Sequence, residues 1–354
     1  MLAYILDNKN LKIKDILEFE KYEFKEDIDY LDKGSITVAR KPNIDDDDFV
    51  ICKNDNHIEF IGICEAYKST SSEQEYVITL LQKENLFDRQ IFVEQEELIA
   101  TVGIEDFIVL AIKKNFVESG DAFMDKSYIT VNAKTHTMVA AKVEAENGVY
   151  NLKTYLGNTK QYYGIFLDFE FCENQLIIKV NKRNDVVIPI DIGVTDISDY
   201  QETYSVSVLA KLLVNWKIPD REDSEGIVTV GPMTQRKFFL LADRSITEDI
   251  TDVNRAAGIS KSVYIETETE EEMLQQVYNE FSSNQYSHKI SFYLNRNSRL
   301  YPESRFYVGR KCIIKTKSGV RTSIITKSEV KNTSGMILLA FGKLKITLIE
   351  KLRR

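Results

Sequence analysis

Ser35-Ile36-Thr37-Val38-Ala39, Phe49-Val50-Ile51-Cys52, Ile58-Glu59-Phe60-Ile61-Gly62-Ile63 and Glu75-Tyr76-Val77-Ile78-Thr79-Leu80 decide the fold. Each is a short run rich in β-branched and aromatic residues, which suit a pleated, half-buried surface. Asn54-Asp55-Asn56, between the second and third runs, is turn chemistry. Short strands separated by polar turns predict a small antiparallel barrel or sandwich at the N-terminus.

The period then changes. Ile104, Phe107, Ile108, Ala111, Ile112 and Phe116 recur at helical spacing. Glu105 and Asp106 fall in the first turn and Lys113 and Lys114 late, where the helix dipole favours them. This predicts an amphipathic helix over Ile104–Glu118. Tyr128–Ala133 alternates as a strand. Leu152, Tyr155, Leu156, Thr159 and Tyr163 predict a second helix, weakened by Gly157. Gly164–Phe171 and Gln175–Val180 predict a hairpin, so 97–180 reads as an α+β unit.

Strands return over 186–218: Val186-Val187-Ile188-Pro189-Ile190, with Pro189 marking an edge strand or a strand end, then Tyr204, Val206 and Val208 in alternation, then Leu212-Leu213-Val214. Pro219–Gly226 is polar and reads as an exposed loop or boundary. Thr269 with Glu272 is a capping box, and Met273, Val277 and Phe281 follow on one face, predicting a helix from about Glu270 to Ser283. The strand Lys289–Leu294 comes next. Lys311–Thr316, a Lys317-Ser318-Gly319 turn, Val320–Thr326, Met336–Phe341 and Lys343–Leu348 then read as a second small barrel.

Composition supports a soluble, globular, aromatic-rich chain: of 354 residues 43% are hydrophobic and 29% charged, with 18 Tyr and 18 Phe against one Trp. The net charge of −9 is unevenly distributed. Residues 296–354 hold 15 basic and 3 acidic residues, a net of +12, so the first 295 carry −21. An acidic body argues against tight wrapping of nucleic acid. The basic end reads as a binding face or as balance for an acidic neighbour, with charge balance the blander reading. Met1–Asp7 lacks the basic and long apolar regions of a signal peptide, and no run reaches the roughly 18 apolar residues of a spanning helix. The expectation is a soluble protein made in a cytoplasm, without membrane insertion.

No site motif stands out. There is no GxxxxGK(S/T), GxGxxG or GxSxG. Cys52, Cys64, Cys172 and Cys312 form no CxxC pair and read as free thiols, and His57, His136 and His288 are far apart, so no metal site is expected. Asp45-Asp46-Asp47-Asp48 lacks the spacing of a calcium loop and reads as a solvated acidic turn. Asp168 with Glu170, and Asp191 with Asp196, are carboxylate pairs of the type a glycosidase uses. With 55 acidic residues such pairs arise by chance. His288 reads as a packed or exposed histidine rather than a base. Tyr162, Tyr163, Phe166, Phe169 and Phe171 suggest a stacking platform, or a core plus an interface. Catalytic, cofactor-binding and metal residues are therefore assigned to none.

Ser287-His288-Lys289-Ile290-Ser291-Phe292, Ser298-Arg299-Leu300-Tyr301-Pro302, Tyr307-Val308-Gly309-Arg310-Lys311-Cys312-Ile313-Ile314-Lys315 and Phe341–Leu352, behind a helix with Met273-Leu274-Gln275-Gln276-Val277, are more specific. In this order they resemble the tail hub proteins of long-tailed phages and prophages, a family that includes the N-terminal part of tail-associated lysins and the baseplate hub of contractile tails. The resemblance extends to the barrel-like start.

It implies an α+β, mainly β fold: two similar small antiparallel β-barrel tube domains with two inserted α+β domains. The boundaries it implies are 1–96 for the first barrel, 97–185 for one insert, 186–225 with 296–354 for the second barrel and 226–295 for the other insert. It implies a homotrimer whose barrels form a pseudo-sixfold ring at the virion tail tip, assembled in the host cytoplasm. The partners it implies are the distal tail protein and tail tube, the tape-measure protein, and tail-tip or receptor-binding proteins. DNA would pass through without specific binding, and the ring would close the channel until ejection. The chain stops at Arg354, about where the hub ends, so no lytic extension, cofactor or enzymatic activity is expected. Two other readings are a cell-wall hydrolase, which needs a cleft with perturbed carboxylates, and a carbohydrate- or receptor-binding tail protein, which needs an exposed aromatic patch.

Overall fold

Strands dominate the computed structural model, which describes residues 1–342 other than 56, 70–74, 94–102, 122–124, 138–147, 185, 205–207, 223–225, 227, 243–244, 283–287 and 318. The strand expected at Lys343–Leu348 and the alternating Val206 lie outside the described residues.

Six strands open the chain: β1 (Leu2–Leu6), β2 (Ile13–Asp27), β3 (Gly34–Val38), β4 (Phe49–Asn54), β5 (His57–Ser69) and β6 (Tyr76–Gln82). Hydrogen-bonded neighbours run β1-β4-β5-β6-β3-β2, and β2 also pairs with β1, all antiparallel. Ala3, Ile5, Leu17, Phe19, Ile36, Val50, Cys52 and Leu80 share one buried cluster. β4 is apolar at four successive positions because both its faces are covered. Val50 and Cys52 join that cluster, while Phe49 and Ile51 join a second one built with the following segment.

That segment holds β7 (Gln90–Val93), α1 (Ile104–Ile112), β8 (Ile129–Ala133), β9 (Gly148–Asn151), α2 (Leu152–Tyr163), β10 (Ile165–Cys172) and β11 (Gln175–Lys182). The helix expected over Ile104–Glu118 is α-helical to Ile112 and continues as a π-helical turn over Lys113–Val117. Its apolar face is buried as the spacing predicted. Asn151 caps α2 by accepting from the Thr154 N–H at 3.0 Å, and Gly164, at φ +70°, ends it in the left-handed conformation glycine favours. Gly157 lets this helix approach its neighbours closely: a Cβ there would lie 3.1 Å from the Ile28 carbonyl oxygen and 3.6 Å from the Tyr30 ring. The expected hairpin is β10 with β11, and β8 joins it in parallel.

Next come β12 (Ile188–Asp191), β13 (Ile197–Tyr204), β14 (Leu209–Lys217), β15 (Arg221–Glu222), β16 (Val228–Thr229), β17 (Met233–Leu240), β18 (Ile246–Thr247), β19 (Ile259–Glu266), α3 (Glu270–Ser282), β20 (His288–Asn295), β21 (Lys311–Thr316), β22 (Gly319–Lys331) and β23 (Met336–Gly342). Six of these run in the order β12-β21-β22-β23-β20-β13. This matches β1-β4-β5-β6-β3-β2 strand for strand in chain order. One difference stands out: β12 pairs parallel with β21, whereas β1 pairs antiparallel with β4.

The match reaches single positions. β5 and β22 both have 13 residues. Ile63 pairs with Phe49, the first residue of β4, and Ile324 with Lys311, the first of β21. The next residues, Cys64 and Ile325, pair with Leu80 and Phe341, and each is followed by a one-residue bulge, at Glu65 and Thr326. A bulge inserts one unpaired residue and bends its strand. These two six-strand modules are called I and II below.

Two compact units divide the chain. The larger, Met1–Gln201 with Ser291–Phe341, contains module I, the α1–α2 segment and most of module II. The other is made mainly of Glu202–Ile290. Its sheet order is β18-β17-β14-β19, and Leu212, Val214, Phe238 and Ile265 pack there against Met273, Val277 and Phe281 of α3. The predicted capping box is present: Glu272 N–H donates to Thr269 Oγ1 at 3.3 Å, and Thr269 N–H to Glu272 Oε2 at 3.4 Å. Leu209–Lys217, grouped from sequence with 186–225, pairs with β17 and β19 instead, and His288–Asn295, grouped with 226–295, neighbours β23 and β13.

Candidate assembly interface

The two modules meet along one strand pair. Glu23–Asp27, the last residues of β2, pair antiparallel with Lys327–Lys331 of β22. Charges line this seam, and the Lys331–Glu23 and Lys327–Asp32 pairs cross it. Lys331 Nζ lies 2.7 Å from Glu23 and 2.9 Å from Glu329, Lys25 Nζ lies 2.8 Å from Glu23, and Lys327 Nζ lies 2.8 Å from Asp32. Partial burial pushes the Glu23 carboxyl up, but hydrogen bonds from Lys25 and Lys331 outweigh it and hold the group at about 2. The hydrogen bonds Lys331 donates to Glu23 and Glu329 raise its own pKa in turn.

Beside the seam lies a cleft of about 370 Å³ whose lining includes Tyr22, Glu59, Arg296, Glu303 and Asn332. Arg296 organises it. Its Nε donates to Glu303 at 2.7 Å, one terminal nitrogen to Glu59 at 3.1 Å, and the other to the Tyr22 hydroxyl at 3.3 Å. Burial pulls the Arg296 pKa down, and the Glu303 and Tyr22 contacts more than reverse this. One guanidinium from module II thus clamps two strands of module I, using the planar fork that suits arginine to such sites.

The carboxylates singled out from sequence are individually engaged. Asp168 accepts from Asn181 at 2.5 Å and from Arg183, and Glu170 pairs with Lys179 on the adjacent strand. Asp191 accepts from the Gly193 N–H at 2.9 Å and from Lys315 at 3.0 Å, which lower its pKa, while Asp196 accepts from Ser298 Oγ at 2.5 Å. The acidic run is only partly solvated: Asp45 is exposed, but Asp48 is buried, 2.7 Å from Lys14 Nζ, and accepts from the backbone N–H groups of Asn8 and Asp45. Glu105, expected in the first turn of this helix, is there and fully buried. It accepts from the Thr135 hydroxyl and from both the hydroxyl and N–H of Thr137. His288 is buried at the start of β20, with Gly342 packed against its backbone. Among the described residues no group of three His, Cys, Asp or Glu side chains could hold a metal ion.

The aromatic run is divided between two environments. Tyr163, Phe169 and Phe171 belong to the core behind β4; the Tyr162 side chain lies outside the described set. Phe166 faces Tyr307 edge-on at 5.5 Å, and the Arg183 guanidinium sits 4.5 Å from its ring centre. Lys160, buried, lies 4.8 Å from the Tyr30 ring centre. These contacts tie β10 to the loop before β21 and α2 to the loop after β2.

The geometry defines a mainly β scaffold of two modules sharing one strand order. Neither a protein-family model nor a curated protein matches the sequence. Solved structures do. A tail protein from Neisseria meningitidis MC58 superposes with a TM-score of 0.54 at 10% identity, covering 96% of each chain. The 43 kDa tail protein of prophage MuSo2 from Shewanella oneidensis gives 0.53 at 11% identity, covering 97% of this chain and 98% of that one. Prophage tail protein gp18 from Listeria monocytogenes EGD-e gives 0.54 at 9% identity, covering 99% and 97%. The chain has the fold of these tail proteins across nearly its whole length.

Proposed function

We propose that this chain is a structural tail-hub protein of a phage or prophage tail. Three copies assemble into a ring that joins the sixfold tail tube and distal tail protein to the tail tip and gates the DNA channel. The observation that carries this reading is the repeated strand order, down to the matched bulges at Glu65 and Thr326. Two equivalent modules per chain let three chains offer six equivalent positions to a hexagonal neighbour while keeping threefold symmetry on the other side. The return of β2 to β1 supports reading module I as a closed barrel. We keep the division into two tube domains with two α+β inserts, and strand pairing favours placing β14 in the second insert and β20 in the second barrel.

The partners proposed are the distal tail protein and tail tube, the tape-measure protein, and tip or receptor-binding proteins. DNA slides past without specific binding, because the first 295 residues carry −21 and phosphate needs cationic contacts. A wall-hydrolase reading asks for carboxylates available for proton exchange, and Asp168, Glu170 and Asp191 each hold a cation instead. Mass photometry of the purified chain, alone and with the distal tail protein of the same tail, should give three copies per ring. A chain that is monomeric in both samples would refute the hub reading.

A further inference from the structure

We propose that Arg89 and Lys126 form a binding site for one small oxyanion, phosphate or carboxylate, beside the π-helical turn that follows α1. All its residues belong to the larger unit of a single chain, so the site stands whether or not copies assemble into a ring.

Arg89 stands just before β7, and its guanidinium carbon lies over the Phe116 ring, 5.4 Å from the centre. A ring contact of this kind satisfies charge but supplies no acceptor for the N–H donors. Nη1 is buried and has no hydrogen-bond partner, and Arg89 makes no ion pair among the described residues. Asp88, its neighbour in the chain, is turned to Lys153 and Asn151 instead. Lys126 comes from the loop before β8 and is fixed to the same aromatic residue: its N–H donates to the Phe116 carbonyl at 2.7 Å. The Lys126 ammonium has three donors. Its one hydrogen bond is to the Asn8 carbonyl at 3.3 Å, an oxygen that already accepts from the Tyr128 hydroxyl at 2.6 Å.

The two cations feel each other. Burial lowers the Lys126 pKa, the Arg89 charge lowers it further, and Asp47 and Asp7, the acids that face it, do not offset them. Like charges held together, part-buried and short of acceptors, are the arrangement that an anion between them relieves. Arginine brings a planar fork that matches an oxyanion, and lysine a point charge beside it. Both side chains are half-buried rather than enclosed, so an ion reaches them from solvent. Asp7 and Asp47 set the class of ligand. Their charge beside Lys126 counts against a polyanion such as a nucleic-acid backbone and leaves a single small oxyanion.

Isothermal titration calorimetry of the full-length chain tests this, with sodium phosphate and sodium acetate as the two ligands and sodium chloride holding the ionic strength constant. At least one of them should bind at one ion per chain, and Arg89→Met and Lys126→Met should each weaken that binding by about tenfold or more. No saturable binding of either ion to the parent overturns the site, and so does a smaller effect in either folded variant. A second measurement needs no variant. Acetic anhydride acylates unprotonated amines, and peptide mass spectrometry reads the rate at each lysine. The bound ion at about ten times its Kd should slow acylation of Lys126 roughly tenfold, with the exposed Lys41 unchanged. Protection of Lys126 no greater than that of Lys41 overturns the site.

Discussion

Replacing Arg296 with methionine should destabilise the larger unit by about 2 kcal/mol. The side chains of Arg296, Glu59 and Glu303 are 21%, 20% and 31% exposed. Their contacts are therefore neither a surface pair, worth roughly 0–1 kcal/mol, nor a fully buried one, whose breaking costs about 3–5 kcal/mol. Methionine fills much of the space and leaves two carboxylates without their cation, so the loss falls between those limits. For a unit of this size it corresponds to a drop in Tm of roughly 4–8 °C by calorimetry. Adding Glu59→Gln and Glu303→Gln to Arg296→Met should recover much of the loss, because the cost lies in the stranded charges and coupled residues do not add. A change in Tm below about 1 °C for the single variant would refute the clamp. Failure of the triple variant to recover would assign the loss to packing.

Three further outcomes are expected. Glu23 has a folded pKa of about 2 against its usual 4.5, so it contributes stability above pH 4.5 that is lost as pH falls towards 2; urea melts over this range should show a smaller loss for Glu23→Gln than for the parent. Phe49→Ala removes a fully buried ring 5.3 Å from Phe171 and should cost about 3–5 kcal/mol in chemical denaturation. Of the four cysteines only Cys172 is exposed, while burial pushes Cys52 and Cys64 up, the latter to about 12. A thiol reagent should therefore label one group in the native protein and four after unfolding.

Local pattern made the helices legible. The apolar spacing from Ile104 to Phe116 and the Thr269–Glu272 box are short-range signals, and both appear in place. β2 was hidden by its bulge. Leu17 and Phe19 alternate, but a register shift after Phe19 changes parity before Tyr22 and Phe24, so no single alternation spans the strand. Gly157 reads as a weakness in a helix until the Ile28 carbonyl beside it is known. The candidate interface was the least legible part. Its essential pairings join Glu23 to Lys331 and Glu59 to Arg296, and nothing in either local sequence names a partner so far along the chain. Asp168 and Glu170 drew notice as a pair, but each faces a basic residue on β11 or just beyond it.

β2 is shared property: its first third bonds to β1, its middle to β3, and its last five residues to β22. Tension applied along this strand would load those last five pairs in shear, so they would have to fail together rather than open one at a time. Twist imposed on one module would likewise be passed through those five pairs to the other.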